Sequence, residues 1–295
     1  MGSSKAEYGP GAESPGKVTS TAILARKTGE KVTSVTAYDY STAKLVDAAG
    51  VDIILVGDSL GMVVLGYPDT TRVTLDDMVH HTHAVTRAQP RALVVADLPF
   101  LCAGVSTRDT VRNAGRLVRE AGAEAVKLEG GVRVRDEIRA LVDCQIPVMG
   151  HVGLTPQSKH AFGGFKVQGR TPEAADQVLR DALAVQEGGA FSIVLEGIPA
   201  ALGDRITREL DIPTIGIGAG PGCDGQVLVI HDMLHLFLDF TPGFAIVYAD
   251  GDQQHAKPWN AIVKRCATGT SPPKSTATSR DDCSSSRKTC CQPTR

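Results

Sequence analysis

Six hydrophobic stretches of the chain each end in an ionisable side chain, and a glycine often follows. The terminal side chains are Asp39, Asp58, Asp97, Glu129, His151 and Glu196. If each stretch is a buried parallel strand, these side chains gather at the carboxyl ends of the strands. A (β/α)₈ barrel keeps its active site there, because its interior is packed and only the loops at that end can carry chemistry. The pattern therefore predicts an enzyme.

Segments with helical signals lie between the hydrophobic stretches. We expect helices over residues 41–49, 107–121, 132–144 and 200–210, and further helices that begin at Thr74 and Pro172. Two more strands are expected over residues 213–217 and 226–230. Strands and helices that alternate at this spacing pair in parallel through right-handed crossovers. The prediction is an α/β fold, a (β/α)₈ TIM barrel with seven clear strands and a weak eighth.

An open doubly wound sheet is the alternative architecture. It usually places a glycine-rich turn after its first strand, whereas Tyr38-Asp39-Tyr40-Ser41 follows the first strand here. A closed barrel also brings ionisable residues from six strands together, which an open sheet does not. We therefore favour the barrel.

The composition indicates one catalytic domain between two atypical ends. Hydrophobic residues make up 42% of the 295 residues and aromatic ones only 4%, so the core must consist of Val, Ile, Leu and Ala. We predict a disordered segment over residues 1–17, a barrel domain over residues 18–265, and an atypical low-complexity tail over residues 266–295. Cysteines crowd that tail, but their spacing does not match a zinc site.

The charge and hydropathy patterns exclude two classes of partner. A net charge of −2 gives no general attraction to nucleic acid or to an anionic membrane. No apolar stretch approaches the roughly 18 residues of a membrane span, and no N-terminal signal sequence is evident. We expect a cytoplasmic protein without nucleic-acid or membrane partners.

Asp58, Asp97 and Glu129 end three different strands and are candidate metal ligands. Three converging carboxylates raise one another's pKa and repel unless a cation binds between them. Oxygen ligands of this kind select Mg²⁺, which takes one or two protein carboxylates and leaves sites for substrate oxygens. The alternative is that each one caps the next helix, which is the commoner role for a single strand-end aspartate.

Lys127, His151 and Glu196 complete the candidate site. Lys127 points to the same side of its strand as Glu129 and suits a substrate carboxylate. His151 could polarise a carbonyl or transfer a proton, and Glu196 could act as a general base. A structural role is the alternative for each one, but together they match a metal-stabilised enolate site.

The insertion over residues 152–170 is expected to be a lid or binding loop, with a flexible surface excursion as the alternative.

Several long motifs occur between about residues 33 and 232. They include Val56-Gly57-Asp58-Ser59-Leu60-Gly61-Met62, Ala96-Asp97-Leu98-Pro99-Phe100, Val126-Lys127-Leu128-Glu129-Gly130-Gly131, Gly150-His151-Val152-Gly153-Leu154-Thr155-Pro156-Gln157-Ser158 and Ile215-Gly216-Ile217-Gly218-Ala219-Gly220. In these motifs and their order the chain resembles the ketopantoate hydroxymethyltransferase (3-methyl-2-oxobutanoate hydroxymethyltransferase) family.

The resemblance implies a reaction and a set of roles. α-Ketoisovalerate and 5,10-methylenetetrahydrofolate would give ketopantoate and tetrahydrofolate, a step of pantothenate biosynthesis, in a barrel of the phosphoenolpyruvate/pyruvate type. By resemblance, Asp58 and Asp97 would hold Mg²⁺ with Glu129 nearby, and both aspartates would thereby contribute to substrate binding. Ser59 and Lys127 would bind the carboxylate of the keto acid. His151 would lie close to the substrate, and Glu196 would remove the C3 proton. The family also implies a homo-oligomer, typically a decamer.

The C-terminal end departs from the family pattern. Two explanations remain open for residues 266–295: a reading-frame shift in the gene, or a genuine low-complexity tail. Two other functions also remain open. One is a Mg²⁺-dependent enolate lyase or mutase of the isocitrate lyase type, although the cysteine motif of that family is missing. The other is an inactive protein impaired by its altered C-terminus.

Overall fold

The computed structural model describes residues 16–268, which contain a closed barrel of eight parallel strands. The strands are β1 (Val32–Thr36), β2 (Ile53–Val56), β3 (Leu93–Asp97), β4 (Ala125–Glu129), β5 (Val148–Gly153), β6 (Ser192–Glu196), β7 (Thr214–Ile217) and β8 (Gly225–Leu228). Each strand pairs with its neighbour in the sequence, and β8 pairs with β1. The predicted TIM barrel is confirmed, and its weak eighth strand is the one that closes it.

Helices follow the strands around the outside of the barrel. They are α1 (Ser20–Leu24), α2 (Tyr40–Ala48), α3 (Leu60–Val63), α4 (Leu75–Thr86), α5 (Thr107–Arg119), α6 (Arg135–Asp143), α7 (Lys159–Phe162), α8 (Pro172–Gly188), α9 (Ala200–Glu209), α10 (Ile230–Met233) and α11 (Gly251–Ala267). Thr74 caps α4 in a reciprocal capping box. The Thr74 hydroxyl accepts the backbone N–H of Asp77, and the Asp77 carboxylate accepts the backbone N–H of Thr74. The predicted start at Thr74 is therefore confirmed.

Two helix predictions need correction. The helix expected over residues 41–49 begins one residue earlier, at Tyr40, and its cap is Asp39, because the Asp39 side chain accepts the backbone N–H of Thr42. The expected helix over residues 132–144 is divided into a short 3₁₀ turn, Val132–Val134, and the α-helix α6. The backbone of Val134 lies outside helical geometry, and this interrupts the run.

Two apolar clusters fill the structure. One lies inside the barrel and consists mainly of aliphatic side chains such as those of Ile53, Val95 and Ile215. The other lies between the strands and the surrounding helices. Burying each such aliphatic side chain stabilises the fold by about 1.5–3 kcal/mol. The aliphatic core confirms the prediction made from the low aromatic content.

The strand register fixes which polar residues face each other at the carboxyl end of the barrel. Asp97 of β3 lies beside Lys127 of β4, and Glu129 of β4 lies beside His151 of β5. Gly153 is beside Glu196 of β6. Backbone pairing therefore brings the chemistry-bearing side chains of four consecutive strands close together.

The long insertion after β5 is less irregular than expected. It contains a 3₁₀ turn over Pro156–Ser158 and the short helix α7. None of the helices within the described part is long and apolar enough to cross a bilayer. Residues 1–15 of the segment predicted to be disordered (residues 1–17) and residues 269–295 of the predicted tail lie outside the described residues.

Candidate active site

A cavity of about 570 Å³ opens at the carboxyl ends of the strands. This is where barrel enzymes place their reaction chemistry. All seven residues predicted for the site line it, and we call them the polar cluster: Asp58, Ser59, Asp97, Lys127, Glu129, His151 and Glu196. The sequence-based site is therefore brought together in one place.

Asp97 and Lys127 form a buried ion pair at the floor of the cavity. The Lys127 Nζ atom lies 2.7 Å from Oδ1 of Asp97, and both side chains are at most 5% exposed. Oδ2 of Asp97 accepts the backbone N–H of Asp58 at 3.0 Å. Gly57 precedes Asp58 and leaves room for its neighbours. A Cβ atom at Gly57 would lie 2.8 Å from the Ser59 hydroxyl oxygen.

Gln157, to which the sequence reasoning gave no role, joins the metal-ligand candidates from the loop after β5. Its Nε2 atom donates to Oδ2 of Asp58 at 2.8 Å and to the carbonyl of Leu98 at 2.9 Å. Its backbone N–H donates to Oε2 of Glu129 at 3.1 Å. Gln157 belongs to the motif that begins at Gly150. Its side chain is uncharged, so the sequence pattern did not indicate a functional role for it.

His151 lies between two carboxylates. Its Nδ1 atom is 3.5 Å from Oε1 of Glu129, and its Nε2 atom is 3.2 Å from Oε2 of Glu196. Burial and the nearby Lys127 ammonium lower the pKa of His151, but the two carboxylates raise it further, to about 9. The two carboxylates thus favour the protonated form of the ring. The Glu196 side chain is 15% exposed and is thus more accessible to solvent than the side chains of His151 and Glu129.

The electrostatics of the floor fit a cation. Burial, and then the charges of Asp97 and Glu129, raise the pKa of Asp58 well above its usual range. Burial also raises the pKa of Asp97, although Lys127 opposes that shift. For Lys127, burial lowers the pKa, but the three carboxylates more than compensate and raise it. Three buried carboxylates thus share one ammonium.

Two further observations bear on a metal. Oε1 of Glu129 is buried and has no hydrogen-bond donor among the described residues. Among the side chains that the structure describes, no set of three His, Cys, Asp or Glu residues has ready-made ligand spacing. Mg²⁺ takes only one or two protein carboxylates and fills its other positions with water and substrate oxygens. The carboxylates of Asp58, Asp97 and Glu129 are therefore the candidates to hold it.

Ser59 is positioned by a tyrosine that the sequence reasoning did not single out. The Tyr38 hydroxyl and the Ser59 hydroxyl are 2.9 Å apart and share a hydrogen bond. Tyr38 is 2% exposed, and burial raises the pKa of its phenol. Because the phenol keeps its proton, it can donate to Ser59 and leave the serine hydroxyl hydrogen free for a substrate.

Much of the cavity lining is apolar. Four phenylalanines belong to it, and we call them the aromatic wall: Phe165, Phe237, Phe240 and Phe244. Phe165 comes from the insertion after β5, and the others come from residues 234–250, a segment without helix or strand. The insertion therefore lines the cavity, as a binding loop would. The sequence reasoning missed the wall, because isolated phenylalanines carry no local pattern.

One of the six strand-end residues does not line the cavity. Asp39, the first of the six strand-end residues, is exposed and caps α2. Its side chain accepts hydrogen bonds from both the backbone N–H and the hydroxyl of Thr42. The expectation that all six side chains gather was wrong for Asp39, because a helix begins immediately after it.

Fold and site together define an α/β-barrel enzyme that combines buried carboxylates, a lysine and a histidine at the mouth of the barrel. A family model described as ketopantoate hydroxymethyltransferase matches residues 17–274. The chain belongs to this family and is a transferase.

Individual relatives agree with the family match. The chain is 61% identical to the 3-methyl-2-oxobutanoate hydroxymethyltransferase of Geobacter sulfurreducens over 225 residues, covering 76% of this chain and 84% of the relative. It is 55% identical to the enzyme of the same name from Clostridium novyi, covering 85% and 91%. With the Acetivibrio thermocellus enzyme the identity is 53%, covering 90% and 93%. These names support ketopantoate formation.

Solved structures confirm the fold. A phosphoenolpyruvate phosphomutase from Streptomyces platensis subsp. rosaceus superposes with a TM-score of 0.59 at 15% identity, covering 88% of this chain and 92% of that one. A phosphonopyruvate hydrolase in complex with oxalate and Mg²⁺ gives a TM-score of 0.57 at 13% identity, covering 90% and 93%. At such low identity the likeness concerns the barrel alone.

Proposed function

We propose that the protein transfers a hydroxymethyl group from 5,10-methylenetetrahydrofolate to α-ketoisovalerate and forms ketopantoate. The observation that carries this proposal is the position of Glu196. Its carboxylate lies at the cavity, 3.2 Å from Nε2 of His151, and is more open than the buried carboxylates on the floor. It is thus the acidic group of the polar cluster best placed to reach a substrate proton.

The residues divide into three roles. Asp58 and Asp97 would hold Mg²⁺, with Glu129 beside them. Bound there, the metal would withdraw charge from the keto group and so make the neighbouring C3–H more acidic. The Ser59 hydroxyl and the Lys127 ammonium would bind the carboxylate of the keto acid and fix its orientation.

Glu196 would then take the proton from C3 and leave an enolate. The enolate carbon would form a C–C bond to the one-carbon unit, both C–N bonds that join this unit to the folate would break, and the oxygen of a water molecule would become the new hydroxyl group. The two folate nitrogens would take up the proton that Glu196 removed from C3 and one proton of the water, so that tetrahydrofolate leaves. His151 would position the Glu196 carboxylate. In this scheme the protein's own groups handle the proton, and they are preorganised by the strand register.

The decisive experiment measures ketopantoate formation with Mg²⁺ and with a chelator. We expect product that depends on the metal. 2-Methylisocitrate and phosphonopyruvate serve as comparison substrates, and turnover of either one without ketopantoate formation would favour the lyase or mutase alternative. If no product forms, exchange of the C3 proton in D₂O shows whether the keto acid is still enolised.

We also propose a homo-oligomer, as the family resemblance implies. In support, several apolar side chains of the C-terminal part are more than half exposed: Leu238, Ile246, Tyr248, Ile262 and Val263. Light scattering tests this. A ring-sized particle is expected, and a monomer or a soluble aggregate would support the alternative of an impaired protein.

A further inference from the structure

The aromatic wall concentrates a scarce residue type at one place. The chain has only seven phenylalanines, and four of them line this cavity. Phe240 and Phe244 are 53% and 40% exposed, so large apolar surfaces face the open part of the site. Exposed aromatic side chains that border a cavity are typical of a surface that a ligand covers.

The wall is held in place by specific contacts. The Phe244 ring packs directly on the backbone at Gly218, where an added Cβ atom would lie 2.8 Å from the ring. Gly218 also has a φ of 61°, which glycine adopts without strain. The segment is tied back by the backbone N–H of Tyr248, which donates to the carbonyl of Met233 at 2.8 Å.

Asp232, on α10 after β8, lines the same cavity. It is only 8% exposed, yet its carboxylate has no hydrogen bond or ion pair with any of the side chains that the structure describes. Burial raises its pKa to about 6. Neither of its oxygens is among the fully buried side-chain atoms that lack a hydrogen bond, so both can accept from donors that water or a ligand brings into the cavity. The keto acid does not supply them, because its polar groups are oxygen acceptors.

We propose that the aromatic wall binds the pteridine ring of the folate co-substrate and that Asp232 accepts hydrogen bonds from the N–H groups at the edge of that ring. This assignment rests on the proposed function. A pteridine is flat and aromatic, so it can stack on phenylalanine rings. Its amino group and adjacent ring N–H are two donors side by side, which match the two oxygens of a carboxylate.

Binding of tetrahydrofolate alone to the full chain, measured by calorimetry without keto acid, tests the assignment. We expect Asp232→Asn to raise Kd about tenfold or more, because the amide places a donor against the ring donors. Phe240→Ala and Phe244→Ala should each raise it about two- to tenfold. Asp239→Asn and Phe100→Ala are matched controls, since both residues are exposed and lie outside the cavity lining. They should leave Kd unchanged.

A second readout separates folate binding from the chemistry of the keto acid. Exchange of the C3 proton in D₂O requires only the polar cluster and the metal. The exchange rate should therefore be unchanged in Asp232→Asn, Phe240→Ala and Phe244→Ala. Thermal unfolding verifies that each variant is folded. A variant that loses exchange and binding together would assign its residue a structural role and overturn the proposal for it.

The remaining outcomes distinguish this assignment from the proposed function. If the wild type binds tetrahydrofolate and the variants bind it equally well, the folate lies elsewhere and this assignment alone is overturned. If the wild type enolises the keto acid but neither binds tetrahydrofolate nor forms ketopantoate, the folate-dependent function fails as well.

Discussion

The polar cluster and the aromatic wall line one cavity but lie on different kinds of structure. Asp97, Lys127 and Glu129 lie on consecutive strands, are at most 5% exposed, and are joined by ion pairs and hydrogen bonds. Phe240 and Phe244 lie on a segment without regular structure and are largely exposed. Groups that handle charge gain from rigid preorganisation, whereas a binding surface on loops can adjust to its ligand.

Glu196→Gln tests the polar cluster and should have the largest effect. Glutamine cannot take the C3 proton, so we expect the rates of ketopantoate formation and C3 exchange to fall by about 10²- to 10⁴-fold. Tetrahydrofolate binding should persist, because the aromatic wall is untouched. Steady-state kinetics and exchange in D₂O measure both. A variant that retained normal exchange would remove Glu196 from the role of base.

Lys127→Met tests how strongly the polar cluster depends on its one ammonium. The change leaves buried carboxylates without their counter-charge, so the free energy of unfolding should fall by about 3–5 kcal/mol. Added Mg²⁺ should restore part of the loss. Urea unfolding measures it, with Lys159→Met as the control, since Lys159 is 3.4 Å from Asp69 and 24% exposed. Equal losses in the two variants would contradict the prediction.

Asp232→Asn should stabilise the protein at neutral pH. The pKa of Asp232 is about 6 in the folded protein because of burial, and near 3.9 in an unfolded chain. The folded state therefore binds the proton more tightly, and stability is lost as pH rises from about 4 to 6. Removing the charge should add about 1 kcal/mol at pH 7, less than the full shift implies because solvent in the cavity screens the carboxylate, and nothing below pH 4.

Urea unfolding at both pH values measures the effect of Asp232→Asn, with Asp239→Asn as the exposed control. A gain of equal size at both pH values would show that the charge of Asp232 is not its source. Combined with weakened tetrahydrofolate binding, the expected gain would mark Asp232 as a residue kept for binding at the expense of stability.

Phe240→Ala should have the smallest effect on stability and so sharpens the contrast between the regions. Because Phe240 is 53% exposed, we expect a change within about 0.5 kcal/mol. Phe191→Ala is the comparison, because Phe191 is 7% exposed inside the barrel and its truncation should cost about 3–5 kcal/mol. Thermal or urea unfolding measures both. A large loss for Phe240→Ala would show that the wall belongs to the folded core.

The sequence predicted five members of the polar cluster because each of them ends a hydrophobic stretch, and parallel strands bring such ends together. Lys127 was predicted from its position two residues before Glu129, and Ser59 from the family resemblance. The strand-end pattern failed for Asp39, since a strand-end aspartate followed at once by a helix serves equally well as a cap. Gln157 was missed for a different reason. Its role depends on the path of the loop after β5, which carries it to Asp58 and Glu129.

By itself, the sequence determined the barrel, its aliphatic core, the charged residues at the strand ends and, through its motifs, the family. These follow from local periodicity and from a strand order that repeats along the chain. Only the tertiary structure decided that Tyr38 supports Ser59, that Asp232 has no partner among the described side chains, and that Phe165 lines the same cavity as Phe240 and Phe244. Such contacts join residues far apart in the chain, and no local pattern encodes them.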